Sequence, residues 1–243
     1  ACDMAVLYNY YPGYPNSPTN PEPTIYHYVQ KNGIADSRYL VNALKAFLGD
    51  AATVENGYGY EWLPKRNAGK DYGTLAMFED ALAGKLKMLW VVGQNPAVTL
   101  PNLKLMFDGM ANLETLVVQE IWETETAAFW KRPGADPKSI ATEVILLPAA
   151  FFMEKSGTIS NSGGMVQWRH GAVQPPGEAK PDGLIVDMVF RAVRDLVKDS
   201  KEPRDQAMQK ATWSYTTAED LLKEINGFAL SDNPETGLKK GDL

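Results

Sequence analysis

The sequence predicts an α/β fold in which a mostly parallel sheet is flanked by helices. Three observations carry that expectation. Lys87-Met88-Leu89-Trp90-Val91-Val92 is a short apolar run that reads as a buried strand, and it stops at the loop Gly93-Gln94-Asn95-Pro96. Leu103 to Met110 then has apolar residues at helical spacing. Leu116-Val117-Val118 and Glu143-Val144-Ile145-Leu146-Leu147 supply two more buried strands, the first ending at Gln119-Glu120 and the second at Pro148. Strand, glycine loop, helix, strand is the unit that builds a parallel sheet and brings ligands to the carboxyl ends of its strands. The whole reads as a three-layer Rossmann-like domain with an extended N-terminal arm.

Taken in order, Tyr8 to Pro23 combines four tyrosines with Pro12, Pro15, Pro18, Pro21 and Pro23, which excludes helix and central strand. This arm lies over its own domain or over a neighbouring one. Thr24 to Asn32 predicts a short helix stopped by Gly33. Asp36 caps a second helix with Leu40, Val41, Leu44, Phe47 and Leu48 on one face. Residues 51–70 are glycine-rich and irregular, and Asp71 caps a helix carrying Leu75, Met77, Phe78, Ala81 and Leu82. Thr124 to Trp130 reads as one helix, and residues 151–173 as a loop and an irregular hairpin. After Asp182, residues Leu184, Ile185, Met188, Val189, Ala192, Val193, Leu196 and Val197 define an amphipathic helix, with Asp187, Arg191, Arg194 and Asp195 opposite. Thr216 or Thr217 caps a last helix with Leu221, Leu222 and Ile225, ended by Gly227. The domain division is therefore residues 1–35 for the arm and short helix, 36–230 for the α/β domain and 231–243 for a flexible tail.

Composition narrows the function classes. The 243 residues are 44% hydrophobic and 22% charged, an ordinary globular balance with enough length for a substantial core. A net charge of −6 argues against nucleic acid, which needs a basic face. No apolar run approaches the roughly 20 residues of a membrane span, and no signal-peptide pattern opens the chain. Cys2 is the only cysteine and His27 and His170 the only histidines, so this chain alone builds no disulfide, iron–sulfur or thiolate site.

Three strand ends fall on one edge: Gly93 to Asn95, Gln119-Glu120 and Leu147-Pro148. A glycine just past a strand lets backbone N–H groups approach phosphate, and Asn95 offers both donor and acceptor. Glu120, 25 residues beyond Asn95, stands where a dinucleotide-binding unit keeps a ribose-reading carboxylate. The loop lacks the full G-x-G-x-x-G pattern, which leaves open that Gly93 only permits a turn and Glu120 is solvated. Glu120, Glu123 and Glu125 invite a glycosidase reading, but acids at a helix start are explained by the dipole. His170, after Trp168-Arg169, has no nucleophile motif beside it and reads as packed or exposed. No Walker loop, zinc spacing or nucleophile elbow occurs.

The order of motifs resembles the molybdopterin oxidoreductase family. The resemblance rests on Gly93-Gln94-Asn95-Pro96 with Pro101-Asn102, Val118-Gln119-Glu120-Ile121 with Thr124-Glu125-Thr126-Ala127, and Thr142 to Pro148. Glu154 to Gly163 and Pro175 to Asp182 follow in the family's order, and Phe129 to Gly134 with Gln167-Trp168-Arg169 look most like the large subunit of respiratory formate dehydrogenases. The clear match spans about residues 75–200. It implies a non-catalytic piece of a larger enzyme that oxidises formate to carbon dioxide, binding the nucleotide end of a bis-molybdopterin guanine dinucleotide carrying molybdenum or tungsten. A 4Fe-4S centre would lie in the parent but outside this chain. Implied partners are the other domains of the same large subunit and an iron–sulfur small subunit, with no nucleic acid and no direct membrane contact. The implied compartment is the periplasm, with the cytoplasm as alternative. Carried over residue by residue, cofactor contacts fall on Gly93, Asn95, Gln119, Glu120, Lys155 and Asp182. Asp182 is the candidate for guanine and Glu120 for ribose, exchangeably; Lys155 would neutralise phosphate. Many members have Asp where Glu120 stands and Arg where Gly164 stands. The alternatives are the same domain from a nitrate, dimethyl sulfoxide or polysulfide reductase subunit, or a stand-alone nucleotide-binding or scaffold module.

Overall fold

A computed structural model describes residues 41–42, 44–63, 73–161, 163–226, 229 and 231–242. The tyrosine arm, the helix over Thr24–Asn32, the caps at Asp36 and Asp71, Gly227 and Cys2 lie outside the described residues. The fold is α/β, with a parallel three-stranded sheet flanked by helices. In chain order the elements are α1 (Thr74–Leu82), β1 (Met88–Val92), α2 (Pro96–Thr99), α3 (Leu103–Ala111), β2 (Thr115–Glu120), β3 (Glu143–Pro148), β4 (Gly157–Ser160), β5 (Val166–Arg169), α4 (Asp182–Val197), α5 (Gln206–Lys210) and α6 (Ala218–Asn226). No helix among the described residues is long and apolar enough to cross a membrane.

The described residues divide into two compact units. The first takes those up to Lys87, then Lys104–Leu113 and Arg191–Trp213; the second takes Met88–Leu103, Glu114–Phe190 and Ser214–Leu243. In the first unit, residues 44–48 are helical and bury Leu44 and Leu48. Leu44 packs with Tyr60, Tyr58 and Leu63 from the irregular glycine-rich stretch, which forms 3-10 turns at Gly49–Ala51 and Gly57–Trp62. The Thr212 hydroxyl donates to the Ala46 carbonyl at 2.6 Å, and its N–H donates to that of Phe47 at 2.7 Å, closing the end of this helix. Phe78 and Ala81 of α1 and Met106 and Met110 of α3 are buried. The Asn112 amide donates to the carbonyls of Ala81 and Leu82, both at 3.0 Å, which satisfies the end of α1. Gly109 makes the approach between α3 and α1 possible: a Cβ there would lie 3.0 Å from the Phe78 carbonyl oxygen.

The second unit holds the sheet, ordered β1-β2-β3 and parallel throughout. In β2, Leu116, Val118 and Gln119 are fully buried, as a central parallel strand requires. The expectation of three buried strands holds only for β2. In β1 only Val91 is buried, and in β3 Ile145 and Leu146 are each 39% exposed. The reason is the order itself: β1 and β3 are the outer strands, and the described residues leave part of their faces open. The hairpin expected within 151–173 is antiparallel β4–β5, with Gly157 opposite Arg169.

Two helix expectations need correction. Thr124 to Trp130 is not a helix but turns followed by a 3-10 segment at Phe129–Lys131. Thr126 uses its N–H and hydroxyl on the Asn95 side chain, and its hydroxyl also competes with regular helical bonding. Along α4 the expected apolar face is half covered. Ile185 is buried, whereas Leu184, Met188 and Leu196 are exposed, Leu196 to 85%. Asp187, expected opposite, is 5% exposed and engaged there.

The cap of α6 belongs to Thr217, whose hydroxyl accepts from the Asp220 N–H at 3.2 Å while the Asp220 carboxylate accepts from the Thr217 N–H at 2.9 Å. Backbone N–H groups of Thr216 and Thr217 pull the Asp220 carboxyl down to about 2. A depressed carboxyl contributes stability above its unfolded value and loses it on protonation, so the cap should weaken as pH falls from about 4 through about 2. Carboxyl-carbon NMR of Asp220 should show that midpoint, and Asp220→Asn should remove this part of the acid sensitivity; a midpoint near 4 would reject the cap. Gly109→Val should lower stability by roughly 1–3 kcal/mol through overpacking against Phe78, read by urea unfolding. An unchanged midpoint would mean that α3 and α1 are not in close contact.

Candidate functional site

The six residues singled out in the sequence all lie in the second unit, and they form two clusters. The register places Val92, Gln119 and Leu147 side by side, with Glu120 beside Pro148, so the three strand ends do share one edge. The Gly93 N–H continues this ladder by donating to the Gln119 carbonyl at 2.9 Å. It is therefore not the open donor that the loop promised. Gly93 itself sits at φ +59°, a left-handed conformation that glycine adopts without penalty.

The first cluster is Gln119, Asp182 and Lys155. Gln119 is the penultimate residue of β2 and fully buried, and its amide nitrogen donates to Asp182 Oδ1 at 2.8 Å. Lys155 donates to Asp182 Oδ2. Each partner arrives on a different element. Asp182 opens α4, where the helix dipole favours a carboxylate. It is delivered by Lys180, which extends the sheet past β3: its N–H donates to the Pro148 carbonyl at 3.1 Å, and its carbonyl accepts from Ala150 at 2.8 Å. Lys155 precedes β4 and is braced by the chain after β5. There the Gly171 N–H donates to Ser156 Oγ at 3.0 Å and the Ala172 N–H to the Met153 carbonyl at 2.7 Å. Ser156 and Gly171 were not singled out in the sequence, and only a glycine just past a strand signals them.

Gln119 Oε1 is buried without a hydrogen-bond partner. Rotating the amide would not help, because the Asp182 carboxylate accepts only, so the nitrogen must face it. The Asp182 side chain stays 40% exposed and the Lys155 side chain 20%. With one hydrogen bond on each oxygen, the carboxylate keeps acceptor capacity at the surface.

The second cluster surrounds Asn95. Its Oδ1 accepts from the Thr126 N–H at 3.2 Å and hydroxyl at 2.7 Å, and its Nδ2 donates to Glu125 Oε2 at 2.6 Å. Thr126, fully buried, also accepts from the Ala97 N–H at 3.1 Å. Asn95 therefore joins the loop after β1 to the turn after β2, and Thr126 and Glu125 are partners that the sequence reading missed. Glu125 is not an acid of a helix start, since no helix begins there. Glu120 ends β2 partly exposed, with its carboxylate accepting from the next N–H, Ile121, at 2.8 Å. Glu123 pairs with Lys131 at 2.5 Å. His170 is exposed and accepts from the Trp168 indole at 3.4 Å. Gly164 stands in the β4–β5 turn at φ +75°. Among the described residues no group of three or more His, Cys, Asp or Glu could hold a metal ion.

Comparison with known proteins agrees with the order of motifs. Residues 23–191 match the molybdopterin oxidoreductase family, and the chain belongs to it. It is 36% identical over 256 residues to formate dehydrogenase 2 subunit alpha (cytochrome c-553) of Nitratidesulfovibrio vulgaris, covering 99% of this chain and 25% of that protein. It is 32% identical to the major subunit of the nitrate-inducible formate dehydrogenase of Escherichia coli, with 99% and 26% covered. The formate dehydrogenase major subunit of Haemophilus influenzae is similar at 34%, again with 99% and 26% covered. The chain thus spans about a quarter of the length of these relatives.

The Asn95 amide is the main reason that the Glu125 carboxyl titrates below its ordinary value, with a backbone hydrogen bond second. Asn95→Ala should therefore raise the Glu125 midpoint, followed by carboxyl-carbon NMR. An unmoved midpoint would mean that the Asn95–Glu125 bond does not persist in solution.

Proposed function

We propose that this member of the molybdopterin oxidoreductase family is the nucleotide-holding part of a formate dehydrogenase large subunit. In this reading the Gln119–Asp182–Lys155 cluster takes the guanine end of a molybdopterin guanine dinucleotide. The observation that carries it is the half-exposed Asp182 carboxylate, fixed by Gln119 and Lys155 at the carboxyl edge of β2. Ligands of parallel sheets lie outside that edge.

The chemistry of the donors and acceptors fits the group. The Asp182 carboxylate is an acceptor at the surface, and guanine presents N–H donors at N1 and its amino group. A phosphate, which only accepts, fits that carboxylate badly but suits Lys155 as a point charge. Glu120 is the ribose-side acceptor, and the two carboxylates remain exchangeable in role. The Gln94 and Asn95 N–H groups, which make no hydrogen bond within the described residues, serve the diphosphate. When bound, the molybdenum or tungsten centre of the cofactor supplies the redox chemistry that oxidises formate to carbon dioxide. The residues of this chain hold and orient the nucleotide arm and do not touch the reacting atoms. The parent carries its 4Fe-4S centre and small-subunit partner beyond this chain, in the periplasm or, alternatively, the cytoplasm.

Titration calorimetry with GDP tests the reading. Wild type should bind GDP in preference to ADP, and Asp182→Ala should weaken binding by about tenfold or more, as expected for a hydrogen bond to a charged group. Equal affinities in the two proteins, or no binding to wild type, would overturn it.

A further inference from the structure

We infer that Glu125 and Thr126 are positioning residues, which hold the Gly93–Pro96 loop in the form that meets the nucleotide and act on it through Asn95. The inference rests on the proposed nucleotide site for its functional meaning, but the clamp itself stands on geometry. Every polar atom of the Asn95 side chain already has a protein partner: Oδ1 accepts twice from Thr126, and Nδ2 donates to Glu125. The Asn95 carbonyl is taken as well, accepting from the N–H groups of Val98 and Thr99, both at 3.0 Å, and from the Thr99 hydroxyl at 3.0 Å. The asparagine side chain thus ties its own loop to the turn after β2, and in this inference it shapes the backbone that meets the nucleotide.

The middle of the clamp is the Thr126 hydroxyl. It donates to Asn95 Oδ1 at 2.7 Å and accepts from the Ala97 N–H at 3.1 Å, two residues further along the same loop. One fully buried hydroxyl thus ties both ends of the bend that follows β1. Removing it would leave buried polar groups unpartnered. The loop and the turn come from chain segments about 30 residues apart, so local sequence alone does not set this geometry.

The donor and acceptor of the Asn95–Glu125 bond can be exchanged. In Asn95→Asp two carboxylates face each other where a hydrogen bond stood. In the double variant Asn95→Asp with Glu125→Gln, the new amide donates and the new carboxylate accepts, while Oδ1 still serves Thr126. Hydrogen exchange of the Ala97, Val98 and Thr99 amides reads the clamp, and GDP calorimetry reads its consequence. Asn95→Asp should speed exchange at these amides by about tenfold or more, and the double variant should bring it back to within about threefold of wild type, since local opening governs such rates. GDP affinity should fall and recover in parallel. Unchanged exchange in Asn95→Asp, or no recovery in the double variant, overturns the inference. So does recovered protection without recovered GDP binding, which would make Asn95 a direct contact. If wild type binds no GDP, the nucleotide reading fails, and the exchange results decide the clamp by themselves.

Discussion

A buried amide with a single fixed orientation organises this edge of the sheet. Gln119 cannot leave β2, because its backbone belongs to the central strand of the ladder, and its nitrogen must face an acceptor. Asp182 provides that acceptor, and in doing so sets where α4 begins relative to β2. Lys155 then balances the carboxylate and brings in the stretch before the hairpin. Three segments distant in sequence are located by one carboxylate. The group that would suffer most from losing its partner is the Gln119 amide, because it is the fully buried one.

Much of the sheet could be read from sequence because parallel central strands have a distinctive composition. Leu116-Val117-Val118 is apolar without alternation, and it is the strand buried on both faces. Val-Ile-Leu-Leu in β3 has the same composition, yet its faces are half open, because burial depends on what lies next to a strand and not on its residues alone. The stretch Thr124 to Trp130 departs from the expected helix for a related reason. Its alanines favour helix, but a tertiary hydrogen bond to Asn95 claims Thr126 first. Periodicity puts Asp187 on the solvent side, yet it is buried, because the apolar stripe of this 16-residue helix is too wide to fix one rotation.

The candidate residues were legible as a set but not as a geometry. The register does put Gly93, Gln119 and Glu120 at neighbouring strand ends, as strand–loop–helix order implies. What the order cannot give is which side chains turn inward. Gln119, a polar residue in an apolar strand, is the informative one: buried there, it shares Asp182 as a partner with Lys155. Asn95 belongs to a different cluster, where its amide bonds Glu125 and Thr126. Two polar clusters on one edge thus divide the work, one exposing acceptors and the other fixing a backbone.

The interleaving of the two units bears on how the chain can be made. The first unit is not complete until Arg191–Trp213 has emerged, because Thr212 closes the helix that ends at Leu48. Synthesis from Leu48 to Thr212 takes roughly 8–33 s at ribosomal rates of about 5–20 residues per second. During that interval Leu44 and Leu48 wait for the strand of chain that will seal their end. Because the segments of the two units alternate along the chain, no single cut through it separates one unit from the other.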